Sequence, residues 1–507
     1  MAKTKELTLA CDGEDLYTLK IRLDNIAPNF HAFVDVRKYI GKTITLSASP
    51  EMKITFEEAD ELELPSLYEE PYRPQVHFTT KNGWLNDPNG LVYLSGVYHL
   101  FYQHNPCENR WNNMHWGHAT SHDMLHWVEE EMALFPDKTG EMYSGSAIVD
   151  ESNLLGMQKG DLPTVLLYYT ATKPFSQYMA YSTDGLKTIQ KYSETPRIPH
   201  IVAENRDPKI VFVEEWGAYA LALFLDEDLY ALFRSDDLLH FSLVQKVHLD
   251  GDWECPDLFP ITSHTGERKW VLMGARGRYL VGDMTDAGFV PSQEVLPLHY
   301  GKSAYAGQTF SGLPNGRVVR IDWDKWDIPN PNIRGQMSFP MELNLEGVDG
   351  LYYLTANPIE EIRSLYQESE VLKNISVLTD EPLKMGLRQT PYLLKMNMQP
   401  DMDTEIYIEM FGIGMTLSRA TNTLTLAAKE IPITLTGDAW ELTAIFDRHS
   451  VELYLDGGKI YVGTVDEKTT CDYNLAYLLL YGNKKFTLSH LEVHSLSSIW
   501  ERRETRE

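Results

Sequence analysis

Short runs of alternating, β-branched or aromatic residues, separated by Gly, Asn, Asp and Pro, recur along almost the whole chain. Long stretches with helical periodicity are almost absent, which restricts the fold to an all-β class. Residues 90–103 (GLVYLSGVYHLFYQ) predict a hairpin turning at Ser95-Gly96, and residues 164–170, 209–213 and 269–273 read as strands of the same kind. Such segments repeat between about residue 80 and residue 340, which predicts a repeating architecture of the propeller type rather than a single sandwich. The flanks differ. Residues 1–70 hold LYTLKIRL, HAFVDVRKY and TITLSAS, then an acidic stretch over 57–63; they predict a small N-terminal β domain with a linker ending at residues 71–74. After Pro358, IEEIRSLYQE predicts a short helical connector. Beyond it TEIYIEMF, TLTLAAK, SVELYLDGG and FTLSHLEVH alternate cleanly and predict a β-sandwich, and the charged tail ERRETRE reads as frayed. The expected division is 1–70, a propeller over 71–350, a linker over 351–366 and a sandwich over 367–507, in keeping with a chain of 507 residues.

Charge narrows the function. Against 73 Asp and Glu stand 45 Lys and Arg, a net charge of −28, which repels phosphate backbones and anionic lipid and disfavours nucleic-acid and membrane partners. A neutral substrate such as a sugar suits it. Aromatics make up 11% of the chain, with 11 Trp and 28 Tyr; such rings fill β cores and also pack on the C–H faces of sugars. No stretch has the apolar length of a membrane helix, and MAKTKELTLACDGEDLYTL lacks the apolar run of a signal peptide. Cys11, Cys107, Cys255 and Cys471 are scattered, with neither metal-site spacing nor a dense disulfide pattern. A reduced, cytoplasmic protein is the expectation, with an upstream leader left open.

Four segments could carry chemistry. In Gly83-Trp84-Leu85-Asn86-Asp87-Pro88-Asn89-Gly90 the Asp-Pro-Asn-Gly core is a strong turn sequence, and on its own predicts a hairpin turn; a turn can also hold a carboxylate rigidly at a strand end, as a nucleophile needs. The second segment holds Gln103, His104, Trp111, His115 and His118, where interleaved amides and indoles suit a sugar-binding rim. The three histidines lack the i, i+4 helical spacing of a zincin, so satisfied core histidines are expected and no metal. In Asn205-Arg206-Asp207-Pro208, Arg beside Asp reads as a local ion pair, one that would depress the Asp pKa and keep it ionised. In Trp253-Glu254-Cys255-Pro256, a glutamate in apolar company is a candidate general acid, although a structural pairing reads equally well.

Taken together and in order, WLNDPNG, FYQHNP, MHWGHA, YSGS, RDPK and ECPDLF resemble glycoside hydrolase family 32, the invertase, levanase and inulinase family, and GQMSFPMELNL is similar to its motif at the propeller end. The resemblance is strong over residues 75–345 and loose over the sandwich, and residues 1–70 look like the extra β domain of some bacterial members. It implies a five-bladed β-propeller with an axial active site and a C-terminal β-sandwich. It further implies a retaining exo-β-fructosidase without cofactor, acting on sucrose, fructo-oligosaccharides or fructans. Asp87 matches the nucleophile, Glu254 the acid/base and Asp207 the transition-state stabiliser, with the Asp87 and Glu254 carboxyl groups expected about 5–5.5 Å apart. Trp84, Asn86, Gln103, Trp111, Tyr143, Ser144, Arg206 and Trp323 match substrate-binding positions. Two departures stand out: Asp322 replaces a Gly before Trp323, and Ser303-Ala304 replaces Asp-Phe, which implies altered outer subsites. A fructosyltransferase with the same trio, an inactive sugar-binding propeller and, distantly, an inverting arabinan- or xylan-acting propeller are the alternatives. Packing of a sandwich against a neighbouring funnel leaves a homo-oligomer open.

Overall fold

Most of the alternating runs become strands in the computed structural model, which describes residues 3–23, 30, 32, 34, 36–49, 67–325, 330–401, 403–433, 439–464 and 470–500; HAFVDVRKY lies partly outside them and ends in the 3-10 turn Arg37–Tyr39. The acidic stretch 57–63 and the tail 501–507 lie outside the described residues. Among the described residues, helix is confined to 3-10 turns of three to six residues, and no helix is long and apolar enough to cross a membrane. The four cysteines are free thiols, all buried.

The chain begins with a three-stranded antiparallel sheet of β1 (Lys3–Cys11), β2 (Glu14–Leu23) and β3 (Ile44–Ser49), in the order β2-β1-β3. The next sheet contains β4 (Gly83–Leu94), β5 (Val97–Asn105), β6 (His115–Ser121) and β7 (Val128–Glu129). The β4–β5 hairpin turns at Ser95-Gly96 as expected, both residues taking the positive φ (50° and 89°) that a tight two-residue turn requires. Then come three further sheets, opened by β8 (Met142–Asp150), by Arg206–Val213 and by Asp257–Thr262, and a last one opened by Ala304–Thr309.

The opening strands touch one another in succession, and Ala304–Thr309 comes back against β4. Ile333–Arg334 pairs in parallel with Gly83-Trp84, so a late segment closes the first sheet. The result is a β-propeller, in which ring closure protects the sheet edges. Sheets packed between sheets explain runs such as Thr164–Thr172, which lack clean alternation. There Val165, Leu167 and Tyr169 enter one apolar cluster, while Leu166 and Tyr168 enter the next.

The last propeller sheet includes Leu351–Pro358, paired along its length with Met341–Val348. Residues 351–358, assigned by sequence to a linker, are therefore strand, and IEEIRSLYQE contributes only the 3-10 turn Glu360–Leu365 before the strand Tyr366–Val377. Two six-stranded antiparallel sheets follow, facing each other across Leu394, Ile408, Leu417, Leu453 and Leu480 as a β-sandwich. The seam between propeller and sandwich is polar as well as apolar. Asp447 accepts from the backbone N–H groups of Gln75 and Val76 at 2.9 Å and pairs with His77 at 2.8 Å.

Candidate active site

Bulges in the opening strands build the site. The β4–β5 register slips between Leu85 and Pro88, leaving Asn86 and Asp87 out of the ladder. The β8 register slips between Tyr143 and Gly145, leaving Ser144 out, and that of Arg206–Val213 slips between Arg206 and Lys209, leaving Asp207 and Pro208 out. Each bulge re-aims a side chain that regular pairing would direct elsewhere. The predicted hairpin turn at Asp-Pro-Asn-Gly is thus corrected. The segment lies inside β4, where Pro88 is tolerated because it stands at a bulge, and Gly90 is needed because a Cβ there would come within 2.9 Å of Phe101.

Asp87 accepts from Ser144 Oγ at 2.7 Å on Oδ2, from Asn86 Nδ2 at 3.1 Å on Oδ1 and from the Cys255 thiol at 3.7 Å on Oδ2. Trp84 Nε1 in turn donates to Asn86 Oδ1 at 2.7 Å, so the indole fixes the amide that fixes the carboxylate. Burial raises the Asp87 pKa and the Glu254 charge adds to it, while the Ser144 and Asn86 hydrogen bonds pull it back.

Asp207 is 3% exposed, and its Oδ2 accepts from the Cys255 backbone N–H at 3.0 Å. The depressed pKa expected from its neighbour Arg206 is not what the structure gives. Burial pushes Asp207 up to about 7, helped by Asp87 and Glu254, and Arg206 only moderates the rise. The Cys255 Sγ lies 3.4 Å from Asp207 Oδ2 and 3.7 Å from Asp87 Oδ2, so one thiol bridges two of the carboxylates.

Glu254 does not sit in the apolar company its sequence neighbours suggest. Its Oε1 is 2.5 Å from an Arg206 guanidinium nitrogen, and its Oε2 accepts from the Tyr305 hydroxyl. The loop that carries it is strained and anchored. Glu254 (φ 54°), Cys255 (φ 38°) and Asp207 (φ 65°) all occupy the left-handed region that costs a non-glycine residue energy, a cost typical of functional sites. Asp252, just ahead of the loop, accepts the backbone N–H groups of Trp253, Arg276 and Arg278 at 2.8–2.9 Å. Asp252 does not stand out in the sequence as a site residue, because two of its three donors, Arg276 and Arg278, lie far along the chain; Tyr305 follows Ser303-Ala304 in a segment similar to the family's Asp-Phe-Tyr-Ala, and its bond to Glu254 is what the structure adds.

The remaining predicted residues sort into rim and floor. Trp84 stacks edge-on against Trp323 at 5.8 Å, and Trp323 against Tyr305 at 6.3 Å. Trp111 is 50% exposed and stands edge-on to Tyr143 at 6.1 Å. Gln103 is buried beneath, donating to the Met142 carbonyl at 3.0 Å. Each histidine of the second segment is committed within the fold: His104 to the Trp84 carbonyl, His115 to the Asn113 carbonyl and His118 to His99. Ser303 and Ala304 face the sandwich. Ser303 donates to the Gly463 carbonyl of the sandwich and Ala304 packs close to Gly463, so the departure from the family pattern falls at the domain seam. Asp322, the other departure, is buried in an ion pair with Arg320 at 2.9 Å.

The model of the glycosyl hydrolases family 32 N-terminal domain matches residues 77–358. A levanase of Bacillus subtilis is 34% identical over 342 residues, covering 62% of this chain and 50% of that protein. An invertase of Schizosaccharomyces pombe is 32% identical, covering 63% and 60%. A levanase of Bacillus sp. strain L7 is 29% identical over 87% of this chain and 54% of its own length, so the chain spans about half the length of the levanases it matches. The crystal structure of exo-inulinase from Aspergillus awamori superposes with a TM-score of 0.76 at 22% identity, covering 85% of this chain and 100% of that one, a likeness of fold.

Proposed function

Because the chain belongs to glycosyl hydrolase family 32, we propose that it is a retaining exo-β-fructosidase, releasing terminal β-D-fructofuranosyl units from sucrose, fructo-oligosaccharides or fructans. The observation that carries this reading is the convergence of Asp87, Asp207 and Glu254: the first two share the Cys255 thiol, and the third is tied to Asp207 through Arg206.

Three carboxylates are what the reaction asks for. Protonated Glu254 gives its proton to the glycosidic oxygen as the C2–O bond breaks, and Asp87 forms an ester bond to C2. A water oxygen then attacks C2, its proton passes to Glu254 and the C2–Asp87 bond breaks, leaving fructose with its configuration retained. The Ser144 and Asn86 hydrogen bonds favour the ionised form of Asp87 and aim it. Ionised Asp207 accepts hydrogen bonds from sugar hydroxyls that strengthen as positive charge grows on the ring. Arg206 and Tyr305 grip opposite oxygens of Glu254 and so fix its orientation for both proton transfers. The presence of all three carboxylates argues against a binding-only propeller, and the names levanase and invertase among the relatives support hydrolysis.

The test is product analysis with sucrose, 1-kestose, inulin, levan and sucrose 6-phosphate. Release of fructose from at least one is expected; release from none sinks the reading.

A further inference from the structure

The family match begins only at residue 77, which leaves the N-terminal sheet without a role. Its strand β2 is an edge strand, because the order is β2-β1-β3. Edge strands present a row of backbone N–H and C=O groups that need partners. Here side chains from one propeller loop, residues 105–113, supply them. The Lys20 N–H donates to Asn113 Oδ1 at 2.8 Å, and Asn113 Nδ2 donates back to the Lys20 carbonyl at 3.0 Å, so the amide pairs with β2 as a neighbouring strand would. Two residues along the same edge, the Arg22 N–H donates to Glu108 Oε1 at 2.7 Å, and the Arg22 guanidinium closes on Glu108 Oε2 at 3.0 Å. Cys107, from the same loop, inserts into the small sheet's apolar face beside Leu9 and Leu19. Glu108 and Asn113 are both buried, which favours their contacts over those of an exposed ion pair. Between these two anchors stands Trp111, half exposed at the rim beside Tyr143, whose neighbour Ser144 holds Asp87.

We propose that the N-terminal sheet is a positioning element for substrate binding: its edge strand grips residues 105–113 from outside and so fixes Trp111 at the mouth of the site. Arg22, Glu108 and Asn113 are positioning residues, acting on substrate only through Trp111. The kinetic consequence rests on the fructosidase reading above. An aromatic side chain that must be ordered at each binding event contributes less affinity than one already in place, so loosening the loop raises KM and leaves kcat nearly unchanged.

The variants are Glu108→Ala and Asn113→Gly, glycine being chosen because Asn113 has a φ of 47°. Glu108→Gln keeps the acceptor for the Arg22 N–H. Each of the first two is expected to raise KM for 1-kestose about fivefold with kcat preserved, and Glu108→Gln, which loses only the charge of the Arg22 pair, to raise it by less. In a Trp111→Ala background the same changes are expected to have no further effect, which a merely structural role would not produce. Trypsin cleavage after Arg110 supplies a readout independent of activity, and is expected to speed up in both variants. Should Glu108→Ala fail to fold, Arg22→Ala, which leaves the backbone edge bonds in place, is expected to show the same KM and trypsin effects in weaker form. Unchanged KM and unchanged cleavage, or an equal KM rise with and without Trp111, overturns the proposal. If the wild type releases no fructose, the fructosidase reading alone fails, and the cleavage rates still decide the clamp.

Discussion

Arg206 reaches past its sequence neighbour to Glu254: a terminal guanidinium nitrogen lies 2.5 Å from Glu254 Oε1, whereas its Nε stays 3.8 Å from Asp207 Oδ2. One cation therefore serves both site carboxylates, with Glu204 a third partner at 3.6 Å, and it keeps Asp207 lower than burial and like charges would otherwise set it. A carboxylate needed in its ionised form loses function as pH falls through its pKa. Removing the Arg206 charge raises Asp207 further, so the acidic limb of kcat/KM must move to higher pH. A pH–rate profile of Arg206→Met is expected to have a lower maximum and an acidic limb displaced upward; a limb that stays or moves down contradicts this pairing.

Ser144 is the bulged residue of β8, and its hydroxyl donates to Asp87 alongside Asn86 and the Cys255 thiol. A hydrogen bond to a charged group contributes about 1.5–3 kcal/mol, so Ser144→Ala is expected to lower kcat/KM about tenfold or more while the melting temperature moves little. A rate within twofold of wild type would mean that Asn86 and the Cys255 thiol orient the carboxylate without Ser144.

His77 ties the propeller to the sandwich, 2.8 Å from Asp447 and 3.2 Å from Glu452, with all three side chains buried. Burial disfavours its charge, yet the two carboxylates outweigh this and push its pKa up to about 10 from 6.5. The folded pKa is raised, so the contribution to stability is full below about 6.5 and fades as pH climbs through about 10. Melting curves from pH 6.5 to 10.5 are expected to fall more steeply for the wild type than for His77→Gln, which should start lower. Parallel curves would rule out a charged His77 at the seam.

Much of this is legible in the sequence, for identifiable reasons. Alternation through the sandwich, as in Glu405–Met410, reports half-buried strands directly, and Ser95-Gly96 has the positive-φ chemistry of its turn. Asp-Pro-Asn-Gly misleads because turn chemistry and bulge chemistry use the same residues, and only pairing with β5 separates them. Residues 351–358 look like linker because what makes them strand is their partner, Met341–Val348. Asp87, Asp207 and Glu254 each looked ordinary alone and became a set through their order. Asp252 leaves no local trace, since it gathers backbone N–H groups from Arg276 and Arg278, and the role of Tyr305 is hidden because it reaches Glu254 from 51 residues away.

The central claim is that Asp87 is the nucleophile, and Asp87→Asn tests it most directly, since the amide keeps the shape and removes the attacking charge. Fructose release by wild type and variant should be measured side by side on the substrates the wild type accepts, with circular dichroism and melting as controls. The expected result is a loss of at least about a thousandfold in a protein that folds and melts like the wild type. A folded Asp87→Asn that releases fructose at close to the wild-type rate would contradict the account.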